Sequence, residues 1–307
     1  MRRVVNAEPL TAAQDTPPRS FAALAGDFLT LTKPRLSLQV LITAAGGLWF
    51  AGGSATRDPR TWALTLLGTA GTVAAANAMN CVFERDSDRF MARTAQRPLP
   101  QGRLSAQAVV MFSALLTGVS LPMLWWVNPL TCGLGLLALL SYVFVYTPLK
   151  PRTHWAMQVG ALPGALPPLM GWTAATNAIE PGGLSLFAIL FCWQLPHFIA
   201  IALFRAREYR AAGLRTVVSE KGEDTARLHA VVYAVLQGAA AVTPYFAGLA
   251  GRSYLFVAAG FSLIYLGFAI EGWRAKGDAV WARQLFMSSN VYLLALFVAL
   301  GAAAWAR

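Results

Sequence analysis

The chain has 307 residues, 56% of them hydrophobic and only 13% charged, a balance too apolar for a soluble enzyme of this length. Its formal net charge of +11 would suggest a nucleic-acid partner in a soluble protein. The placement of the cations points to membrane topology instead, and no nucleic acid is expected.

Residues 1–27 carry Pro17-Pro18 and scattered Ala and Thr without an apolar core, so they read as a flexible cytoplasmic tail and not as a cleaved signal. Glu8, Asp15 and Asp27 in this segment argue against a transit peptide and for a bacterial plasma (inner) membrane. Residues 28–307 read as one domain built on stretches long enough to cross the lipid bilayer: about 36–54, 62–83, 105–124, 130–148, 156–176, 184–204, 228–250, 254–272 and 285–305. The fold class is therefore an all-α membrane bundle of nine transmembrane helices. With the N-terminus inside, 21 of the 25 Lys and Arg fall on the cytoplasmic side, and only Arg57, Arg60, Arg252 and Arg307 fall outside. The C-terminus is then periplasmic or extracellular. The long loops 84–104 and 205–227, rich in both signs of charge, share the cytoplasmic side, so chemistry is expected there. They follow spans two and six, which hints at an internal duplication.

The first charged constellation closes span two, in Asn77-Ala-Met-Asn80-Cys-Val-Phe-Glu84-Arg-Asp86-Ser-Asp88. On a continuing helix Asn80, Glu84 and Asp88 are spaced i, i+4, i+8 and project from nearly one face. Carboxylates near a bilayer are costly and usually line a polar cavity, a relay or an ion site. Hard oxygens on one face suit Mg²⁺, which commonly binds through one or two carboxylates together with substrate phosphates. Asp86 is a further acidic candidate. Arg93 and Arg97 lie just beyond, where guanidinium forks can take phosphate oxygens. Acid, metal and base together describe a diphosphate site; the plain alternative is a solvated helix end with local ion pairs.

After span four, Tyr146-Thr147-Pro148-Leu149-Lys150-Pro151-Arg152-Thr153-His154-Trp155 makes a short turn whose Lys150 and Arg152 either clamp an anion or anchor topology. Gly160, Pro163, Gly164, Pro167, Pro168 and Gly171 punctuate span five, so that helix is expected to be broken or kinked, for close packing or for a cavity. His197 sits well inside apolar span six, as a hydrogen-bonded interior residue or as a functional one. Beyond it Glu208, with Arg205 and Arg207, repeats the pairing of acid and base, and a snorkelling helix end is its plain reading. Cys81, Cys132 and Cys192 are isolated and read as small packing residues, with no spacing for a disulfide framework or zinc.

These segments resemble the UbiA-type intramembrane prenyltransferases over about residues 28–300. The family's first motif, Asn-x-x-x-Asp-x-x-x-Asp, is matched by Asn80, Glu84 and Asp88, with Glu in place of the usual middle Asp. The run from Glu84 to Pro100, the Tyr146–Thr153 stretch, Gly164–Trp172 and Trp193–Phe198 look like the heme-farnesylating branch rather than the quinone or chlorophyll branches. Glu208-Tyr209 stands where that branch has Asp-Tyr, but the following Ala212-Gly213-Leu-Arg215-Thr-Val-Val departs from its pattern, leaving 213–222 unassigned.

The resemblance implies transfer of farnesyl from farnesyl diphosphate to a vinyl group of protoheme IX. It implies Mg²⁺ held through Asn80, Glu84 and Asp88, aided by Asp86 and Glu208, with Arg93, Arg97, Lys150 and Arg152 sharing the diphosphate charge. Tyr209 belongs to the second motif, and His197 and His154 are candidate heme contacts. Trp172, Trp193 and Phe198 are candidates to shelter a carbocation. A heme A synthase or other oxidase-assembly partner is an open expectation. Three further readings stay open: an enzyme acting on an aromatic quinone precursor, a carrier using the carboxylates as ion sites, and a non-catalytic heme-handling factor.

Overall fold

Pro34, Pro59, Pro129 and Pro181 each stand at the start of a long helix, where a fixed φ and a missing N–H cost nothing. The computed structural model describes residues 20–305. A short helix α1 (Phe21–Leu31) is followed by α2 (Pro34–Ala51), α3 (Pro59–Phe83), α4 (Ala106–Val127), α5 (Pro129–Leu149), α6 (Ala156–Thr176), α7 (Pro181–Phe204), α8 (Glu223–Ala241), α9 (Arg252–Arg274) and α10 (Ala279–Trp305). Among the described residues, seven helices, α3–α5 and α7–α10, are long and apolar enough to cross a membrane. The sequence reading counted nine spans. The other two, α2 and α6, are diluted by Arg35 and Gln39 in the first and by Gln158 and three prolines in the second, yet they run with the bundle and pack against each other.

At that crossing a Cβ on Gly171 would collide with the Ala44 carbonyl oxygen, and one on Gly47 with the carbonyl oxygen of Pro168. The two backbones therefore touch, and small residues are required. Helix α6 runs through Pro163, Pro167 and Pro168 without the expected break, almost wholly buried from Gly160 to Ala174. Its neighbours supply the packing that offsets the backbone bonds its prolines remove.

Large apolar side chains such as Leu115, Phe256, Leu263, Ile264 and Leu294 point outward all round the bundle, as a lipid-facing surface requires. Trp125 and Trp126 mark one end of the bundle, and Trp155 and Trp273 the other. The chain is a multi-pass membrane protein. Residues 1–19 of the expected tail lie outside the described residues, and its remainder is not all irregular, because α1 begins at Phe21, capped by Ser20, whose side chain accepts from the Ala23 N–H. Leu31 packs with Cys81, Leu99 and Leu104, and Phe28 meets Phe112 at 4.9 Å, so α1 is pinned to the end of α3.

Alternation of the helices brings the ends of α3, α5 and α7 to one face, which carries most of the charge. Two of these ends share a device. Helix α3 stops at Phe83, Glu84 takes φ −90° and ψ 2°, and one turn re-forms over Arg85–Asp88. Helix α7 stops at Phe204, Arg205 takes φ −110° and ψ 17°, and Ala206–Ala211 re-forms. The third, α5, passes into a π-helical stretch, Ser141–Tyr146, where Thr147 Oγ1 donates to the Tyr142 carbonyl at 2.7 Å. Such wide turns re-aim side chains and recur at functional sites.

Candidate active site

The break at Glu84 means that Asn80, Glu84 and Asp88 do not share one continuous helix, yet they do converge. Asn80 is fully buried; its Oδ1 accepts from Lys33 Nζ at 2.6 Å and its Nδ2 donates to Thr147 Oγ1 at 3.3 Å. Glu84 Oε1 accepts from Lys150 Nζ at 2.5 Å, and Oε2 lies 4.0 Å from Arg97. Asp88 is fully buried, and its Oδ2 accepts from Arg97 at 2.6 Å. Its other oxygen, Oδ1, is buried without any hydrogen-bond partner. Unsatisfied buried carboxylate oxygens are expensive and call for an explanation.

Two carboxylates face three cations here, Lys33, Arg97 and Lys150, leaving one positive charge in excess. Burial pushes the Glu84 carboxyl up, but Lys150 and Lys33 outweigh it and hold the group at about 2. Burial lifts the Asp88 carboxyl above its usual value in spite of Arg97. Lys150 is raised well above its ordinary value because the Glu84 charge overrides its burial. Its ammonium also sits 4.4 Å from the Tyr146 ring centroid. That ring occupies the space a Cβ on Gly160 would need, so α6 places Tyr146 and through it Lys150.

Lys33 is the member that motif reasoning missed. In sequence it is one of five N-terminal cations and resembles a topology anchor. Its backbone lies in the left-handed region at φ 49°, and Asn77 Nδ2 holds the preceding Thr32 carbonyl at 3.2 Å, which together swing the ammonium over Asn80. The available signal was Pro34, which fixes a helix start directly after it. Burial, joined by the like charges of Arg97 and Lys150, brings the Lys33 ammonium down to about 8. A neutral Lys33 gives up one of the three cations. Affinity of the free site for an anionic substrate should therefore fall as pH rises through about 8, read as the alkaline limb of kcat/KM. Lys33→Arg, which stays charged, should remove that limb; an identical limb in this variant would contradict the assignment.

The other predicted residues separate into two groups. Tyr209 faces the site: it is half-buried, desolvation raises its hydroxyl, and the charges of Lys150 and Arg93 act on it. Arg93 and Arg152 are exposed. Asp86 does not join the cluster; the break at Glu84 turns it to the surface, where it pairs with Arg85 at 3.2 Å. Glu208 is likewise turned away, pairing with Arg205 at 2.9 Å and lining a different cavity. His154 Nδ1 pairs with Glu220 Oε2 at 2.5 Å, and the Arg215 N–H donates to the Lys150 carbonyl at 2.9 Å. The unassigned loop 213–222 thus clamps the turn that carries Lys150. His197 is buried between α7 and α10, its Nδ1 bonded to Ser289 Oγ at 2.8 Å. Trp172 lies near the opposite end of α6, bonded to Glu180, while Trp193 bonds the Ser289 carbonyl. Among the described residues no three His, Cys, Asp or Glu side chains gather as a metal site. Asn80 with Glu84 and Asp88 is a mixed amide and carboxylate set, and the unpartnered Asp88 Oδ1 suits a hard cation.

Fold and site define a polytopic membrane enzyme that gathers buried side-chain oxygens and cations at one end of its helices. The UbiA prenyltransferase family model matches residues 40–291, and the chain belongs to that family. The protoheme IX farnesyltransferase of Myxococcus xanthus (strain DK1622) is 52% identical over 282 residues, 92% of this chain and 95% of that protein. The protoheme IX farnesyltransferase of Anaeromyxobacter dehalogenans (strain 2CP-C) is 45% identical over 291 residues, 94% of this chain and 97% of its own. Among solved structures, digeranylgeranylglyceryl phosphate synthase superposes with a TM-score of 0.78 at 17% identity, over 92% of this chain and 99% of that one. A UbiA homologue from Archaeoglobus fulgidus, bound to GPP and Mg²⁺, gives 0.67 at 18% identity, over 90% of this chain and 99% of its own. At such identities these structures speak for the fold alone.

Proposed function

We infer that this prenyltransferase moves farnesyl from farnesyl diphosphate to a vinyl group of protoheme IX, making heme O, at the charged face on the cytoplasmic side of a bacterial inner membrane. The observation that carries this reading is the buried Asp88 carboxylate with one oxygen unpartnered, set among three convergent cations. The likeness of the chain to protoheme IX farnesyltransferases over nearly its whole length supports the choice of substrates.

Asn80 Oδ1, Glu84 and Asp88 would hold Mg²⁺, which when bound supplies charge neutralisation for the leaving diphosphate. Lys33, Lys150 and Arg97, which satisfy those oxygens in the structure, are the cations placed to take phosphate oxygens. Their excess positive charge favours departure of the diphosphate with the electron pair of the allylic C–O bond. The vinyl carbon then bonds the farnesyl C1, and water adds to the porphyrin-side carbon and loses a proton, giving the hydroxyethylfarnesyl group. Tyr209, Arg93 and Arg152 would order the diphosphate end. Purified protein given Mg²⁺, farnesyl diphosphate and protoheme should yield heme O by mass spectrometry. Prenylation of 4-hydroxybenzoate with no heme product would assign the chain to the quinone branch instead.

A further inference from the structure

Thr147 stands where the π-helical stretch of α5 passes into the turn that carries Lys150, and it is buried at 3% exposure. Its hydroxyl has one proton. In a regular α-helix such a proton goes to the carbonyl three or four residues back, but the wide turn of Ser141–Tyr146 presents the carbonyl five residues back, and Thr147 Oγ1 donates to Tyr142 at 2.7 Å. The Thr147 N–H goes to the same carbonyl. With its proton committed there, the hydroxyl can meet its other polar neighbour only as an acceptor.

That neighbour is the Asn80 amide, buried at 0% exposure and 67 residues away in sequence. Its Nδ2 donates to Thr147 Oγ1 at 3.3 Å, and its Oδ1 accepts from Lys33 Nζ at 2.6 Å. An amide can turn over about its last side-chain bond, exchanging oxygen for nitrogen with almost no change of shape. Turned over here, the oxygen would meet the lone pairs of Thr147, and the NH₂ would meet the Lys33 ammonium, which has only hydrogens to offer. Both neighbours therefore select one orientation. They differ in what substrate can do to them. Lys33 is one of the three cations placed to take phosphate oxygens, whereas both polar contacts of Thr147 lie inside the protein.

We propose that Thr147 is a positioning residue for the metal site: by accepting from Asn80 Nδ2 it keeps Asn80 Oδ1 on the Lys33 side of the amide, available to a divalent cation when phosphate engages Lys33. The proposal rests on the metal-dependent reading of the site and deepens it. The π-helical stretch then has a task, because it supplies the carbonyl that takes the Thr147 proton. In the test, farnesyl diphosphate is titrated calorimetrically into the full chain without porphyrin, once with Mg²⁺ and once after chelation. Thr147→Val keeps the shape of the side chain and removes the acceptor. It should cut the metal-dependent gain in affinity about tenfold and leave the affinity in chelator unchanged, and Thr147→Ser, which keeps the hydroxyl, should retain the gain. In an Asn80→Ala background Thr147→Val should have no further effect, because the amide is its route to the metal. An undiminished gain in Thr147→Val, an equal loss with and without Mg²⁺, or a further loss in the Asn80→Ala background would overturn the assignment. Should Thr147→Val fail to insert, Thr147→Ala removes the same acceptor and is held to the same outcomes. A parent protein with the Mg²⁺ gain beside a Thr147→Val protein that keeps all of it removes only this proposal. A parent protein with no Mg²⁺ gain removes the metal-dependent reading and this assignment with it.

Discussion

Asp88→Asn should abolish measurable farnesyl transfer, a loss of about a thousandfold or more, while the protein inserts and folds. Asp88 lies at zero exposure, with one oxygen on Arg97 at 2.6 Å and the other on nothing. The substitution keeps the volume and leaves an amide oxygen for Arg97, so the cost in stability is held to about 1–2 kcal/mol. What it removes is the negative charge and the anionic oxygen aimed into the site. Asp88→Ala is a different experiment: it strands Arg97 in a buried place, and breaking such a pair costs about 3–5 kcal/mol. Activity per folded molecule, with the thermal midpoint measured beside it, separates the two effects. Undiminished turnover in Asp88→Asn would mean that the carboxylate is only the partner of Arg97.

The contrast between Asp86 and Asp88 shows how far the sequence carries. Spacing singled out Asn80, Glu84 and Asp88, which do lie around the same cations, although the regular helix it assumed ends at Phe83. The offset at Glu84 decides which neighbouring acid faces inward, and no residue type announces it. The same holds for Glu208 and Tyr209, adjacent positions on a re-formed turn that sends the first to the Arg205 cavity and the second toward Lys150. Lys33 escaped notice because its role depends on a left-handed backbone and on a side chain 47 residues away. Lys150 was legible as a cation on the right face, but its aim comes from the π-helical stretch of α5 and the space left by Gly160, neither of which a hydropathy pattern records.

Span five illustrates the opposite error. Three prolines and three glycines predict a broken helix when the segment is read alone. In the bundle Gly171 lets α2 approach until backbones touch, Gly160 and Gly164 make room for Tyr146 and Gln194, and α6 stays continuous. Tertiary packing decided the outcome. The loop 213–222, unreadable against the family pattern, turns out to brace the Lys150 turn through the Arg215 N–H and the Glu220–His154 pair.

On the proposed function, the oxygens of Asn80, Glu84 and Asp88 accept a divalent cation together with the substrate diphosphate. In the structure Lys33, Lys150 and Arg97 occupy most of those oxygens, so a diphosphate would compete with the oxygens for the same three cations. A divalent ion held by the carboxylates would relieve that competition, so metal and diphosphate should bind with positive coupling. Calorimetric titration of farnesyl diphosphate into the purified protein, with Mg²⁺ and with Mg²⁺ removed by chelation, measures it directly. Affinity should rise about a hundredfold with the metal, about 2.7 kcal/mol, and this gain should vanish in Asp88→Asn. Equal affinity with and without Mg²⁺ in the unaltered protein would contradict the account.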